Sequence, residues 1–272
     1  INNGPKLSID FKGGTLIAVN YTGSIDINDV RASMEKVDIE GQIFDFSKAE
    51  IKHFGDLSNV ALRIASFENE PDNFTKYLTN KMASLYPDLI PENEDDFILS
   101  IEKVGPKIGA ELRGDAIMAI VSALLLILVY ITIRFELKYA LGAIAALSHD
   151  VLVTLGIFSL FGYEISLAVI AAFLTIVGYS LNDTIVIFDR VRENANMLKK
   201  SRLVSVINQS INDSLSRTIV TSLTTFFVVL ILFLFGGEVL HTFSFAMIIG
   251  VLVGTYSSIF VASPVVIYMD KN

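Results

Sequence analysis

The chain of 272 residues is 52% hydrophobic and 18% charged, carries a net charge of −8 and contains no cysteine. That composition excludes an ordinary soluble enzyme core and points to a polytopic membrane protein. The acidic balance offers no basic patch to nucleic acid, there is no thiol for a disulfide or a thiolate site, and His53, His149 and His241 are too scattered to suggest a metal centre.

Residues 1–113 hold 12 basic and 19 acidic side chains, a net charge of −7, against 9 and 10 over the remainder. They read as a soluble domain. Leu7–Phe11 and Thr15–Tyr21 are apolar and β-rich around Gly13-Gly14, which marks a turn or bulge because no G-x-G-x-x-G follows. Asp26 to Val37, with acids early and Val30, Met34 and Val37 at apolar spacing, predicts a short helix. Gln42–Phe46, Ile51–Phe54 and Val60–Ser66 predict strands. Asn73–Tyr86 places Phe74, Tyr77, Leu78, Met82 and Leu85 on one side of a helix, Phe97–Val104 predicts a last strand, and Pro106–Arg113 starts a helix. Strand, helix, two strands, helix, strand is the ferredoxin-like α+β pattern.

From residue 114 to 272 the chain predicts a helical membrane bundle. Five spans are expected, at about Ala116–Ile133, Tyr139–Phe161, Ile165–Phe188, Ile219–Phe235 and Phe243–Tyr268, each long enough for a hydrocarbon core of about 30 Å. Loop 134–138 has two basic residues, loop 189–217 has six (Arg190, Arg192, Lys199, Lys200, Arg202 and Arg217) and the tail has Lys271, whereas loops 162–164 and 236–241 have none. The positive-inside rule makes the first set cytoplasmic and puts residues 1–113 on the extracytoplasmic side. Translocating that domain requires a segment upstream of it, so a sixth, N-terminal span is expected ahead of Ile1. Within 189–217, Val204, Ile207, Ile211 and Leu215 predict a short amphipathic helix along the cytoplasmic interface.

The segment Ile165–Glu193 opens on an apolar run and then sets Asn182, Asp183 and Thr184 before that run ends. An acid at that depth costs about 2.5–3.5 kcal/mol even on lenient insertion scales, so it is expected to face a bundle interior or a water-filled path. Ala171, Thr175, Tyr179 and Asp183 recur at four-residue spacing and predict an inward face. The bland reading is a carboxylate neutralised by a neighbour; the sharper one handles protons or ions. On the next span Arg217, Thr221 and Thr225 recur at the same spacing, and Arg217 either snorkels to the headgroups or pairs with the acid. Gly142, Ala146, Asp150 and Thr154 form a third stripe; the adjacent His149-Asp150 pair is a weak metal signal, and Asp150 is expected to cap a helix or pair across the bundle. Ala246, Gly250, Gly254, Ser258 and Ala262 form a small-residue packing ridge, and Pro264 predicts a kink or an end beyond it.

The chain contains no G-x-S-x-G, Walker loop or H-E-x-x-H, which leaves no enzymatic constellation and no cofactor site. An exported domain on a bundle with intramembrane acid and arginine suits a device driven by an ion gradient, worth about 2.3 kcal/mol per charge per 100 mV.

Six segments carry a resemblance: IDFKGGT at 9–15, VGPKIGAEL at 104–112, RFELKYALGAIAALSHDV at 134–151, GYSLNDTIVIFDRVRE at 178–193, SLSRTIVTSLTT at 214–225 and GTYSSIFVASPV at 254–265. In these the chain closely resembles the SecF family, the smaller subunit of the SecDF protein-export complex in the resistance-nodulation-division superfamily. The resemblance implies a six-span subunit of the bacterial inner membrane with its soluble domain between the first two spans. It implies SecD as partner, the SecYEG translocon beside it with YajC and YidC as further associates, an unfolded secretory polypeptide as cargo, lipid around it and protons as the coupling ion. It implies that the acid and flanking residues of the N-D-T segment (Asn182, Asp183, Thr184) and the arginine of the S-R-T segment (Arg217) belong to a proton relay at the SecD interface, with Arg217 and Asn182 as partners of Asp183. A related exporter of lipids or small molecules, and a purely structural SecD-stabilising subunit, are the alternatives.

Overall fold

The computed structural model describes residues 5–67, 70–71, 73–93, 96–198 and 201–270. Lys199, Lys200 and Lys271, used above for orientation, lie outside the described residues. The chain divides into an N-terminal unit, Leu7–Asp115, and a membrane unit from Ala116 onwards.

The N-terminal unit contains β1 (Gly14–Asn20), α1 (Ile27–Met34), β2 (Lys36–Ile39), β3 (Gln42–Asp45), β4 (Glu50–Phe54), β5 (Asp56–Ala65), α2 (Phe74–Leu85) and β6 (Ile98–Val104). The main sheet runs β4-β5-β1-β6 with every pairing antiparallel, the ferredoxin-like order. Its central strand β1 is apolar on both faces and buried on both. Ile17 and Val19 join Val30 and Met34 of α1 and Phe74, Leu78 and Met82 of α2 in the main core, while Leu16 and Ala18 meet Ala61 in a smaller cluster.

Two expectations change here. Leu7–Phe11 is not extended along its length: Ser8 Oγ accepts from Asp10 N–H and caps a single helical turn at Ile9–Lys12. Gly13 follows at φ 76°, and a Cβ there would meet Pro106 Cα at 2.8 Å, which is why the chain needs glycine at that turn. Secondly, α1 stops at Met34, and Lys36–Ile39 instead pairs with Gln42–Asp45 through a two-residue turn, Glu40-Gly41, in which both residues have positive φ. The strand signal was hidden because Val37 continues the helical spacing as well as it starts an alternation with Ile39.

Helix α3 (Pro106–Arg134) begins in the N-terminal unit and continues into the membrane unit, which further contains α4 (Leu137–Phe161), α5 (Leu167–Met197), α6 (Leu203–Phe235) and α7 (Gly237–Ser257), the last passing through a π turn at Ser258–Ala262 into α8 (Ser263–Asp270). Five helices among the described residues are long and apolar enough to cross a membrane, the last being Leu240–Asp270. Pro264 neither ends nor sharply breaks that span. Proline lacks an N–H and its ring clashes with the carbonyl four residues earlier, and the π turn widens the ladder at that level.

Nor is there a separate interfacial helix within 189–217. Helix α5 continues to Met197, and α6 starts at Leu203 and runs unbroken to Phe235, because no glycine or proline interrupts Leu203–Phe235. The C-terminal part of α5 and the N-terminal part of α6 are clasped by Asn194, whose Nδ2 donates to Ser210 Oγ and Asp213 Oδ2, each at 3.0 Å. The membrane unit is thus a multi-pass bundle whose centre is the α5–α7 contact. Gly250 of α7 faces Ile176 so closely that a Cβ would overlap it, and Gly254 faces Ser180 Cβ at 3.1 Å. Ser258 is fully buried on the same ridge, its hydroxyl donating to Thr255 O at 3.0 Å.

Candidate functional site

Asp183 lies on α5 with 3% of its surface exposed. Deprived of water, its carboxylate must take hydrogen bonds from neighbours or carry a proton. Ser222 Oγ of α6 lies 3.4 Å from Asp183 Oδ2 and 2.7 Å from Thr255 Oγ1 of α7, and Thr255 Oγ1 donates to Val251 O at 2.7 Å. One acid and two hydroxyls therefore join three helices. With the Thr255 hydrogen committed to Val251, Ser222 has a single hydrogen to give and two acceptors for it. The arrangement is complete when Asp183 is protonated: the acid donates to Ser222, Ser222 to Thr255, and Thr255 to Val251. When Asp183 is ionised, the carboxylate competes with Thr255 for the Ser222 hydrogen, and the stronger charge-assisted bond draws Ser222 towards α5.

Of the partners anticipated for Asp183, neither makes a hydrogen bond or ion pair with it among the described residues. Asn182 is exposed, one residue and about 100° around the helix from Asp183. Arg217 is also exposed and makes no ion pair among the described residues, although its charge lies within electrostatic reach of Asp183. Thr221 donates to Arg217 O at 2.9 Å, so its hydroxyl is spent on its own helix. Thr184 is buried, at 1% exposure. The stripe Ala171, Thr175, Tyr179, Asp183 does not run inward as a whole: Ala171 and Thr175 are exposed and Tyr179 is half-buried. A four-residue step overshoots a helical turn by about 40°, so three steps leave the face.

Arg217 lines an open cavity of about 580 Å³ together with Arg134, Asp189, Arg190, Arg192 and Asp213. Arg134 and Asp189, both in its lining, pair at 3.0 Å. A second buried acid lies on α4. Asp150, 1% exposed, accepts from Ser180 Oγ of α5 at 2.6 Å and Ser257 Oγ of α7 at 2.8 Å through Oδ2, and its Oδ1 meets His149 Nδ1 at 3.1 Å. No cluster of three His, Asp or Glu side chains with metal-ligand spacing occurs among the described residues.

The hydroxyls Ser180, Ser222, Thr255 and Ser257 were not anticipated as site residues. A signal for Ser222 was present in the four-residue recurrence Ser210, Ser214, Thr218, Ser222, which is the buried face of α6. Choosing Arg217, Thr221 and Thr225 instead selects the neighbouring face, one residue out of step.

A family profile described as protein export membrane protein SecD/SecF, C-terminal, matches residues 89–272. The chain is 44% identical to the protein translocase subunit SecF of Calditerrivibrio nitroreducens over 272 residues, covering 99% of this chain and 85% of that one. It is 45% identical to the subunit of the same name from Rhodothermus marinus, covering 98% and 84%. Among solved structures, it is similar to the crystal structure of SecDF, a translocon-associated membrane protein from Thermus thermophilus, with a TM-score of 0.85 and 38% identity over 98% of this chain. It spans 35% of that longer chain. The fold, the bundle and these relatives agree, and the chain belongs to the SecD/SecF family of protein export membrane proteins, on the SecF side of it.

Proposed function

We propose that this chain is the SecF-type subunit of a proton-driven accessory to the Sec translocase, transporting polypeptide rather than catalysing a covalent reaction. The observation that carries the reading is the competition between Asp183 and Thr255 for the one hydrogen of Ser222. Proton uptake by Asp183 completes a hydrogen-bond chain from α5 through α6 to α7; proton release breaks the Ser222–Thr255 link and ties α6 to α5. The occupancy of one carboxyl group thereby biases the packing of three helices between two arrangements, which is what coupling an ion gradient to movement requires. Arg217, in its open cavity, supplies a fixed positive charge near the acid.

In this reading SecD is the obligate partner, SecYEG the neighbouring channel, YajC and YidC further associates, and an unfolded secretory polypeptide the cargo handled by the N-terminal unit. That unit lies on the extracytoplasmic side of the inner membrane. The support is the count of basic residues in alternate loops and the relatives' names. The test is export of a secretory protein into inverted vesicles containing SecD and this chain. Collapse of the proton gradient should remove the stimulation that the pair provides; stimulation that persists without a gradient would contradict the proposal.

A further inference from the structure

Asp150 and His149 have no part in the Asp183 relay, and their surroundings are of another kind. The Asp150 carboxylate is held by three helices at once: Ser180 Oγ at 2.6 Å, Ser257 Oγ at 2.8 Å and His149 Nδ1 at 3.1 Å. Two hydroxyls donate to one of its oxygens and fix that acceptor in place. Yet no lysine or arginine of the described residues lies within ion-pair distance of it. A carboxylate at 1% exposure without a cation is costly, and among the described residues the titratable group in contact with it is the imidazole.

His149 looks two ways. Its Nδ1 meets Asp150, while a third of its side chain is open to the outside of the bundle. From α7 the Tyr256 ring stands 6.3 Å from the imidazole, and on α5 the titratable groups next along the chain from Ser180 are Tyr179, directly before it, and Asp183, three residues beyond it. Nothing else ionisable is in contact with the pair among the described residues.

We propose that His149 and Asp150 form a second proton-binding site of the bundle: the partly exposed imidazole takes up a proton at Nε2, the nitrogen not turned to Asp150, and Asp150, fixed by Ser180 and Ser257, is its buried counter-ion. The bookkeeping is one proton and one charge. The neutral imidazole donates Nδ1–H to the carboxylate, leaving the pair at −1; uptake at Nε2 gives imidazolium facing carboxylate, net zero. A proton so bound removes an uncompensated charge from the junction of α4, α5 and α7, and these last two helices also carry Asp183 and Thr255. The site stands whether or not Asp183 carries the coupling proton, since its evidence lies in different side chains.

Only three histidines occur in the chain, so the site is open to direct observation. The full chain carrying His53→Gln and His241→Gln, labelled with ¹⁵N-histidine and reconstituted in lipid, isolates His149 for solid-state NMR from about pH 4 to about pH 9. Both ring nitrogens should pass to imidazolium positions within that range. Adding Asp150→Asn should remove the imidazolium from the upper part of the range, a loss of at least about tenfold in proton affinity. Ser180→Ala, which spares the carboxylate, should displace the midpoint without abolishing uptake, and serves if the Asp150 variant does not assemble. The same titration on an Asp183→Asn background should be retained, which separates this site from the relay. A neutral imidazole at every pH, or a titration unmoved by both Asp150→Asn and Ser180→Ala, would overturn the inference.

Discussion

Ser222 and Thr255 touch at 2.7 Å across α6 and α7, closer than Ser222 approaches Asp183 at 3.4 Å. The hydroxyl is thus nearer to the neutral acceptor than to the acid. Thr255→Val keeps the shape and removes that acceptor, so Ser222 has only Asp183 to serve. Complex yield should be unchanged and gradient-driven export should fall by about tenfold, equivalent to about 1.4 kcal/mol, the net worth of a single hydrogen bond. Ser222→Ala should fall at least as far. Export rates measured beside the yield of purified complex check both.

The α5–α7 contact makes a steric prediction. A Cβ at Gly250 would overlap the Ile176 side chain, whereas one at Gly178 would meet nothing within 4 Å. Gly250→Ala should therefore destabilise the bundle by about 1–3 kcal/mol through overpacking. Gly178→Ala should be neutral or slightly stabilising through helix propensity. Thermal unfolding in one detergent, followed by helix circular dichroism, compares them.

The N-terminal unit predicts an alkaline transition. Tyr21 is 1% exposed and its hydroxyl donates to Met82 O at 2.8 Å; burial, with Tyr86 adding to it, pushes its phenol above the ordinary value of 10.0. The folded state therefore holds that proton more tightly than the unfolded one, and the stability it contributes is present below about pH 10 and lost as pH rises beyond. Residues 5–105 expressed alone should unfold cooperatively in urea. Tyr21→Phe should be about 1 kcal/mol less stable near neutrality, because Met82 O loses its donor. Above about pH 10 that difference should narrow. A constant difference through that range would contradict the buried-phenol account.

Orientation is tested with single cysteines, since the chain has none of its own. A cysteine in place of Asn59, in β5, should react with an impermeant thiol reagent added from outside. One in place of Asn196, at the α5–α6 end of the bundle, should react only after permeabilisation. The reverse pattern would invert the topology.

The sequence made some of this legible and hid the rest for identifiable reasons. Long apolar runs read directly as spans, and the order strand, helix, two strands, helix, strand makes the ferredoxin-like pattern readable. The Glu40-Gly41 hairpin was lost because Val37 serves two periodicities. The continuous α6 was lost because its first four turns are amphipathic, although no breaker separates them from the span. Asp183 is conspicuous because an acid in an apolar run is costly. Ser222, Thr255, Ser180 and Ser257 are not, because a hydroxyl in a membrane helix is cheap when bonded to its own backbone. Only the packing of neighbouring helices shows which hydroxyls are turned to an acid instead.

The account rests on Asp183 binding and releasing a proton in step with transport. Asp183→Asn preserves size and still offers Ser222 a partner, but it cannot titrate. In vesicles holding equal amounts of assembled complex, the proton gradient should stimulate export by the parent chain and leave the Asp183→Asn variant at its ungradiented rate. Stimulation of the Asp183→Asn variant equal to that of the parent would contradict the relay and leave the chain a structural partner of SecD.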